Sequence, residues 1–247
     1  MGSDLQYNYI YFKYDVNGKY YSISTDNEGK TIDLYEVYTP SGSNNIGRTL
    51  TYSGKSYTVI SENGSDFEVV GNYVSSNTVT IGASEYSDAL TDYNNVIITL
   101  NNAAADATGL TIDGTNVKGI RSIGISGNND ISGNFENPDS TTFSTYAGNA
   151  KTADKFYEID LIKLYDANTV DVGSEYWIAS RNIYTSRREL SFRIRFINNS
   201  YVNLGEDEIC EVFLDNGEIT MKGYTRSYAV RPVVTLNSNA PGIMWNS

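Results

Sequence analysis

The chain has 247 residues, 40% of them hydrophobic and 19% charged, with Lys+Arg 18 against Asp+Glu 30 and a formal net charge of −12. That length suits one large domain or two small ones, and a chain this acidic has no bulk attraction for nucleic acid or anionic lipid. It contains no histidine, which excludes Ser-His-Asp and Cys-His catalysis and His-ligated metal, and Cys210 alone cannot form an intrachain disulfide.

No apolar run reaches membrane-spanning length, and no signal-peptide pattern opens the chain. Met1-Gly2-Ser3 reads as a cloning scar, so a secreted or anchored parent would carry its signal or anchor elsewhere. Tyrosine is abundant, 21 residues against 8 Phe. Tyr and Thr suit half-buried strands, and Tyr, Ser, Asn and Gly also build adaptable binding surfaces.

Residues 5 to 38 predict a Tyr-rich β-meander, with Tyr7, Tyr9 and Tyr11 alternating with Asn8, Ile10 and Phe12. Asn17-Gly18 and Asp26-Asn27-Glu28-Gly29 supply its turns. Pro40 to Asn45 is a breaker cluster and divides the chain into an N-terminal meander (1–40), a main domain (45–238) and a tail (239–247). A second meander follows over Arg48–Tyr52, Lys55–Ser61 and Asp66–Gly71. Ser84 to Ala105 predicts a helix: Tyr86, Ala89, Leu90, Tyr93, Val96, Ile97, Leu100, Ala103 and Ala104 form one apolar stripe, with Ser84 as N-cap and Gly109 as stop. Residues 109 to 150 read as long loops. Asp130, Glu136 and Asp139 match no EF-hand spacing, and the glycines lack the Gly-Lys-Ser/Thr ending of a phosphate cradle. Asp160 to Tyr165 predicts a short helix capped by Asp160.

Tyr176-Trp177-Ile178-Ala179-Ser180 is a nearly unbroken apolar strand with Trp177 as core anchor. From Leu190 the pattern alternates strictly, with Leu190, Phe192, Ile194 and Phe196 on one face and Ser191, Arg193 and Arg195 on the other. Asp215-Asn216-Gly217 reads as a hairpin turn. Lys222, Tyr224, Arg226 and Tyr228 then alternate with Gly223, Thr225 and Ser227, which predicts one ribbon whose large polar and aromatic groups share a face. An ordinary solvated sheet face is the bland reading of each segment. The pattern repeats in two segments, and Arg with Tyr is the composition of interface hot spots.

Tyr176-Trp177-Ile178-Ala179-Ser180-Arg181, followed later by Val230-Arg231-Pro232-Val233-Val234, resembles the closing part of a C-type-lectin-like domain of the formylglycine-generating-enzyme subtype. The nearer likeness is to bacterial surface, prepilin-linked and phage proteins, some of them variable proteins of diversity-generating retroelements. Asp92-Tyr93-Asn94-Asn95 and Ile120-Arg121-Ser122-Ile123-Gly124 agree with it. The resemblance implies an α+β fold, two helices against a small twisted antiparallel sheet, preceded by the N-terminal β-meander. It implies that the segment between the two motifs binds a ligand through Asn182, Tyr184, Ser186, Arg187, Arg188, Ser191, Arg193, Lys222, Tyr224, Arg226 and Tyr228. The sequence departs from the family pattern at Ala229-Val230, where Gly-Leu is usual. The cysteine pair of the sulfatase-modifying enzymes and the sugar-and-calcium motifs of true C-type lectins are absent.

The expected function is therefore a non-enzymatic, surface-displayed recognition domain of adhesin or receptor-binding type, without metal or other cofactor. Its expected partner is a protein or other cell-surface ligand, with no nucleic acid and no direct membrane contact, and its expected setting is extracellular, at the cell surface or on a virion. The alternative is a structural subunit of a pilus or phage fibre. An enzyme would need a carboxylate or Tyr/Lys mechanism, and no paired-carboxylate motif stands out.

Overall fold

The computed structural model describes residues 11–14, 19–25, 32–38, 45–124, 157–185, 188–198, 204–215 and 218–246. The chain forms two compact units, residues 1–44 and 45–247. In the first, β1 (Tyr11–Tyr14), β2 (Lys19–Thr25) and β3 (Ile32–Tyr38) form an antiparallel sheet in that order. The predicted turns at 17–18 and 26–29 lie outside the described residues.

The second unit holds two six-stranded sheets. One comprises β4 (Thr49–Tyr52), β5 (Lys55–Asn63), β6 (Asp66–Gly71), β8 (Val117–Ser122), β14 (Pro232–Asn237) and β15 (Met244–Trp245), in the order β15-β4-β5-β6-β14-β8. The other comprises β7 (Val79–Ile81), β9 (Tyr176–Thr185), β10 (Glu189–Ile197), β11 (Leu204–Asp215), β12 (Glu218–Gly223) and β13 (Arg226–Val230), in the order β12-β11-β10-β9-β13-β7. The described helices are α1 (Tyr86–Thr108) and α2 (Tyr157–Asp166). Strands, not helices, hold most of the described residues. This overturns the expected α+β lectin-type fold with two helices on one small sheet: two large sheets carry the unit. Short β-branched and aromatic runs separated by turn residues build the first of them, and the end motifs gave no measure of its extent.

The apolar stripe of α1 faces the second sheet. Ala89, Tyr93, Val96, Ile97, Leu100 and Ala104 form one buried cluster with Trp177, Leu190, Phe192, Ile194, Cys210 and Val212. The helix ends at Gly109, whose φ of +65° closes it, and at its start Glu85, not Ser84, stands at the cap without a side-chain hydrogen bond. The two end motifs lie side by side: β13 runs parallel to β9, with Ala229 opposite Tyr176 and Val230 opposite Trp177. Trp177 is fully buried and its Nε1 donates to the Val79 carbonyl at 2.9 Å. Arg231 is also fully buried. Its Nε donates to the Gly71 carbonyl at 2.9 Å, Nη2 to the Val170 carbonyl at 3.0 Å and Nη1 to the Tyr176 hydroxyl at 3.3 Å.

Asp160 does not cap a helix. It sits inside α2, buried, and its carboxylate takes Arg121 at 2.5 and 3.0 Å and the Gly124 amide at 2.6 Å. Arg121 Nη2 also reaches Glu68 at 3.1 Å, and Glu68 accepts Lys163 at 2.6 Å. A charged network thus ties α2 to β6 and β8, satisfying the guanidinium that burial would otherwise strand.

β12 and β13 are linked only by Tyr224 and Thr225, yet three strands separate them in the sheet order. Such a link spans at most roughly 11 Å, whereas four flat strand spacings take about 19 Å. The sheet therefore curls, bringing the start of β13 towards β11. Gly82 and Gly223 line this seam: a Cβ on Gly82 would meet the Tyr224 carbonyl oxygen, and one on Gly223 the Ala83 carbonyl oxygen, both inside contact distance.

Candidate binding face

The registers of β9 to β12 set up three cross-strand rows on the face away from α1. Lys222 stands opposite Glu211, Glu211 opposite Ser191, and Ser191 opposite Tyr184. Glu208 stands opposite Arg193, and Arg193 opposite Asn182. Thr220 stands opposite Phe213, and Phe213 opposite Glu189. A bulge at Ile209 lets both Ile209 and Cys210 turn into the core while Glu208 and Glu211 stay on the outer face.

Carboxylates of β10 and β11 organise this face. Arg193 Nη2 pairs with Glu208 at 2.7 Å and Glu189 at 3.4 Å. Its guanidinium also lies 4.3 Å from the Tyr184 ring centroid, a cation–π contact. The Ser191 hydroxyl donates to Glu189 and contacts Glu208 at 3.2 Å. The Tyr224 hydroxyl donates to Glu211 at 2.5 Å. Burial and this acceptor push the Tyr224 phenol above its ordinary value, so it remains a neutral donor through the physiological range. The Lys222 ammonium sits 4.8 Å from the Phe213 ring centroid. Arg188, Glu211, Phe213 and Lys222 border a shallow depression on this face.

Glu189, Glu208 and Glu211 can each bring a carboxylate oxygen within 4.8 Å of the others, a spacing three metal ligands could use. Here the cation between Glu189 and Glu208 is Arg193, the Ser191 hydroxyl shares the Glu189 oxygen that Arg193 contacts, and Tyr224 donates to Glu211. The three carboxylates hold the Arg193, Ser191 and Tyr224 side chains in place on this face.

The eleven residues expected to bind ligand divide into groups. Tyr184, Arg193, Lys222 and Tyr224 share the outer face, with Tyr184 42% exposed. Ser191 is on that face but fully buried under its carboxylate partners, so it supports the surface from beneath. Arg188 is exposed beside it. Asn182 occupies a row position on β9; Ser186 and Arg187 lie outside the described residues. Arg226 and Tyr228 do not continue the Lys222–Tyr224 ribbon, because the chain leaves β12 and starts β13 between them. Both gather on Asp207: Arg226 Nε lies 3.2 Å from Oδ1, and the Tyr228 hydroxyl donates to Oδ2 at 2.6 Å. Tyr228 stacks on Phe196 at 4.6 Å and meets Trp177 edge-on, so it belongs largely to the framework. Arg226 keeps company with the outer face through the Tyr224 ring, 5.8 Å away.

Sequence reasoning missed the acidic half of this arrangement. Glu189, Glu206, Asp207, Glu208 and Glu211 hold the basic and phenolic groups. The available signal was the pairing of an Arg-bearing strand with an acidic one: Arg193 and Arg195 on β10, Glu206 to Glu211 on β11. No protein-family model, curated protein or solved structure matches the chain.

Proposed function

We propose that residues 45–247 form a non-enzymatic recognition domain that binds a protein or other cell-surface ligand through the outer face of β9 to β12. The observation that supports it is the set of register rows on which Tyr184, Arg193 and Lys222 project from one sheet face, joined there by Tyr224 through its hydrogen bond to Glu211, with Glu189 and Glu208 holding Arg193. Rings and guanidinium groups held in place before contact lose little entropy on binding, and Tyr with Arg dominates interface energies. The face mixes both charge signs, so it suits a polar surface of mixed charge better than a polyanion. A surface-displayed role, at the cell surface, extracellular or on a virion, goes with this reading.

The test uses fluorescently labelled chain on intact bacterial and epithelial cells, with and without protease treatment of those cells. The variant Y184S/R193S/Y224S/R226S is run beside the parent, and both are melted. Binding by the parent, with loss in a variant that still melts cooperatively, supports this face. Equal binding by the variant moves the site elsewhere, and no binding to either cell type overturns the adhesion role. Diversification of the contact residues has its own test. It expects a reverse-transcriptase gene nearby, with a near-copy of the coding segment for residues 181–231.

A further inference from the structure

Among the described residues, β12 ends its sheet and is bonded on one side only, to β11. All five residues from Glu218 to Lys222 are exposed. The backbone direction on the open side follows from the ladder. The Leu214 N–H donates to the Arg188 carbonyl at 2.8 Å, away from β12, and Leu214 stands opposite Ile219. In an antiparallel pair, facing residues direct their backbone groups either at each other or both away. The Ile219 N–H and C=O therefore point to the open edge, and two residues on so do those of Met221.

The side chains follow the same alternation. Ile219 and Met221 lie on the face of Leu214 and Val212, extending that apolar row beyond the last strand, 40% and 47% exposed. Glu218 and Lys222 lie on the opposite face, and neither forms an ion pair with a described residue. The strand reads Glu-Ile-Thr-Met-Lys, complementary in charge to its own reversal.

We propose that β12 pairs antiparallel with β12 of a second copy about a twofold axis at Thr220, joining the two curled sheets edge to edge. In that register Glu218 faces the partner's Lys222, and Lys222 faces the partner's Glu218. Ile219 faces the partner's Met221, and the outward backbone groups of that pair exchange both hydrogen bonds. A parallel pairing in register sets Glu218 against Glu218. A slip of two residues sets Glu218 against Thr220 and leaves the charges unmatched. Isologous pairing of this kind closes on itself and consumes the open edge. Five residues a side make a small interface, so the pair is weak and fills at high protein concentration.

The test is sedimentation of the full chain from micromolar to millimolar concentration. The parent is expected to rise towards twice the monomer mass. Ile219→Pro removes an outward N–H that β11 does not use, and is expected to stay monomeric with an unchanged far-UV spectrum. Glu218→Lys sets Lys against Lys and is expected to weaken association about tenfold or more. The double variant Glu218→Lys/Lys222→Glu is expected to restore it. A parent that is monomeric throughout overturns the proposal. Association that survives Ile219→Pro, or a double variant as weak as the single one, also overturns it. If Ile219→Pro fails to fold, the charge-swap series decides alone.

Discussion

Trp177 shows how much one side chain holds. It is fully buried, its indole donates to Val79, and it abuts Tyr228 at 4.6 Å. Trp177→Ala is expected to cost about 3–5 kcal/mol, as large core aromatics do; a melting temperature within a degree or two of the parent would remove Trp177 from the core. Cys210 is buried in the same cluster, and burial pushes its thiol up to about 12. It is expected to resist thiol reagents in the native state and to react once denaturant unfolds the chain; rapid native labelling would contradict that burial. Arg193 makes a different kind of contribution. Arg193→Ala leaves Glu189 and Glu208 facing each other without their cation. Their repulsion is expected to cost about 1 kcal/mol for a partly exposed pair at low salt and to shrink as salt screens it. Melting at low and high ionic strength checks this: a deficit that does not shrink with added salt would mean Arg193 contributes through packing instead.

At the scale of elements, the network of Arg121, Asp160, Glu68 and Lys163 fastens α2 to the first sheet. Burial alone would raise the Glu68 pKa, but Arg121 and Lys163 together outweigh it and leave the carboxyl lowered. Its stabilising share is therefore complete above the unfolded carboxylate value, about 4.3, and is lost as pH falls through the lower folded value. Glu68→Gln is expected to lower the melting temperature at neutral pH and to flatten the loss of stability below about pH 4. A variant with the parent's acid profile would show that Glu68 carries no linkage. The helix α1 and the strands of the end motifs were legible because each has a strong local signature: a stripe of period 3.6, an apolar run, strict alternation. The size of the sheets was not, because pairing partners such as β14 with β6 and β8 are far apart in the chain. The polar face was half legible. Alternation singled out Arg193 and Tyr224, while the acid that fixes each comes from β11 and depends on register. The break after Gly223 was invisible, since Tyr224 to Tyr228 keep a strand-like alternation across a change of strand.

At the scale of the molecule, residues 45–247 contain all three buried apolar clusters found among the described residues. A fragment starting at Asn45 is therefore expected to fold alone and melt within a few degrees of the whole chain; a fragment with no cooperative transition would show that the first unit completes the core. The last residues before 247, which had no role in the sequence pattern, pair with the first strand of this unit: Met244 stands opposite Thr51, Trp245 opposite Leu50, and the Asn246 amide donates to the Thr49 carbonyl at 3.0 Å. Arg48 completes the clasp, its guanidinium 4.0 Å from the Trp245 ring centroid. The unit thus begins and ends at one point on its surface. A host protein could accept it whole between two adjacent loop residues, and a short linker across the clasp would let new ends be cut at an exposed hairpin such as Ser53-Gly54, because neighbouring ends are what circular permutation and domain insertion require.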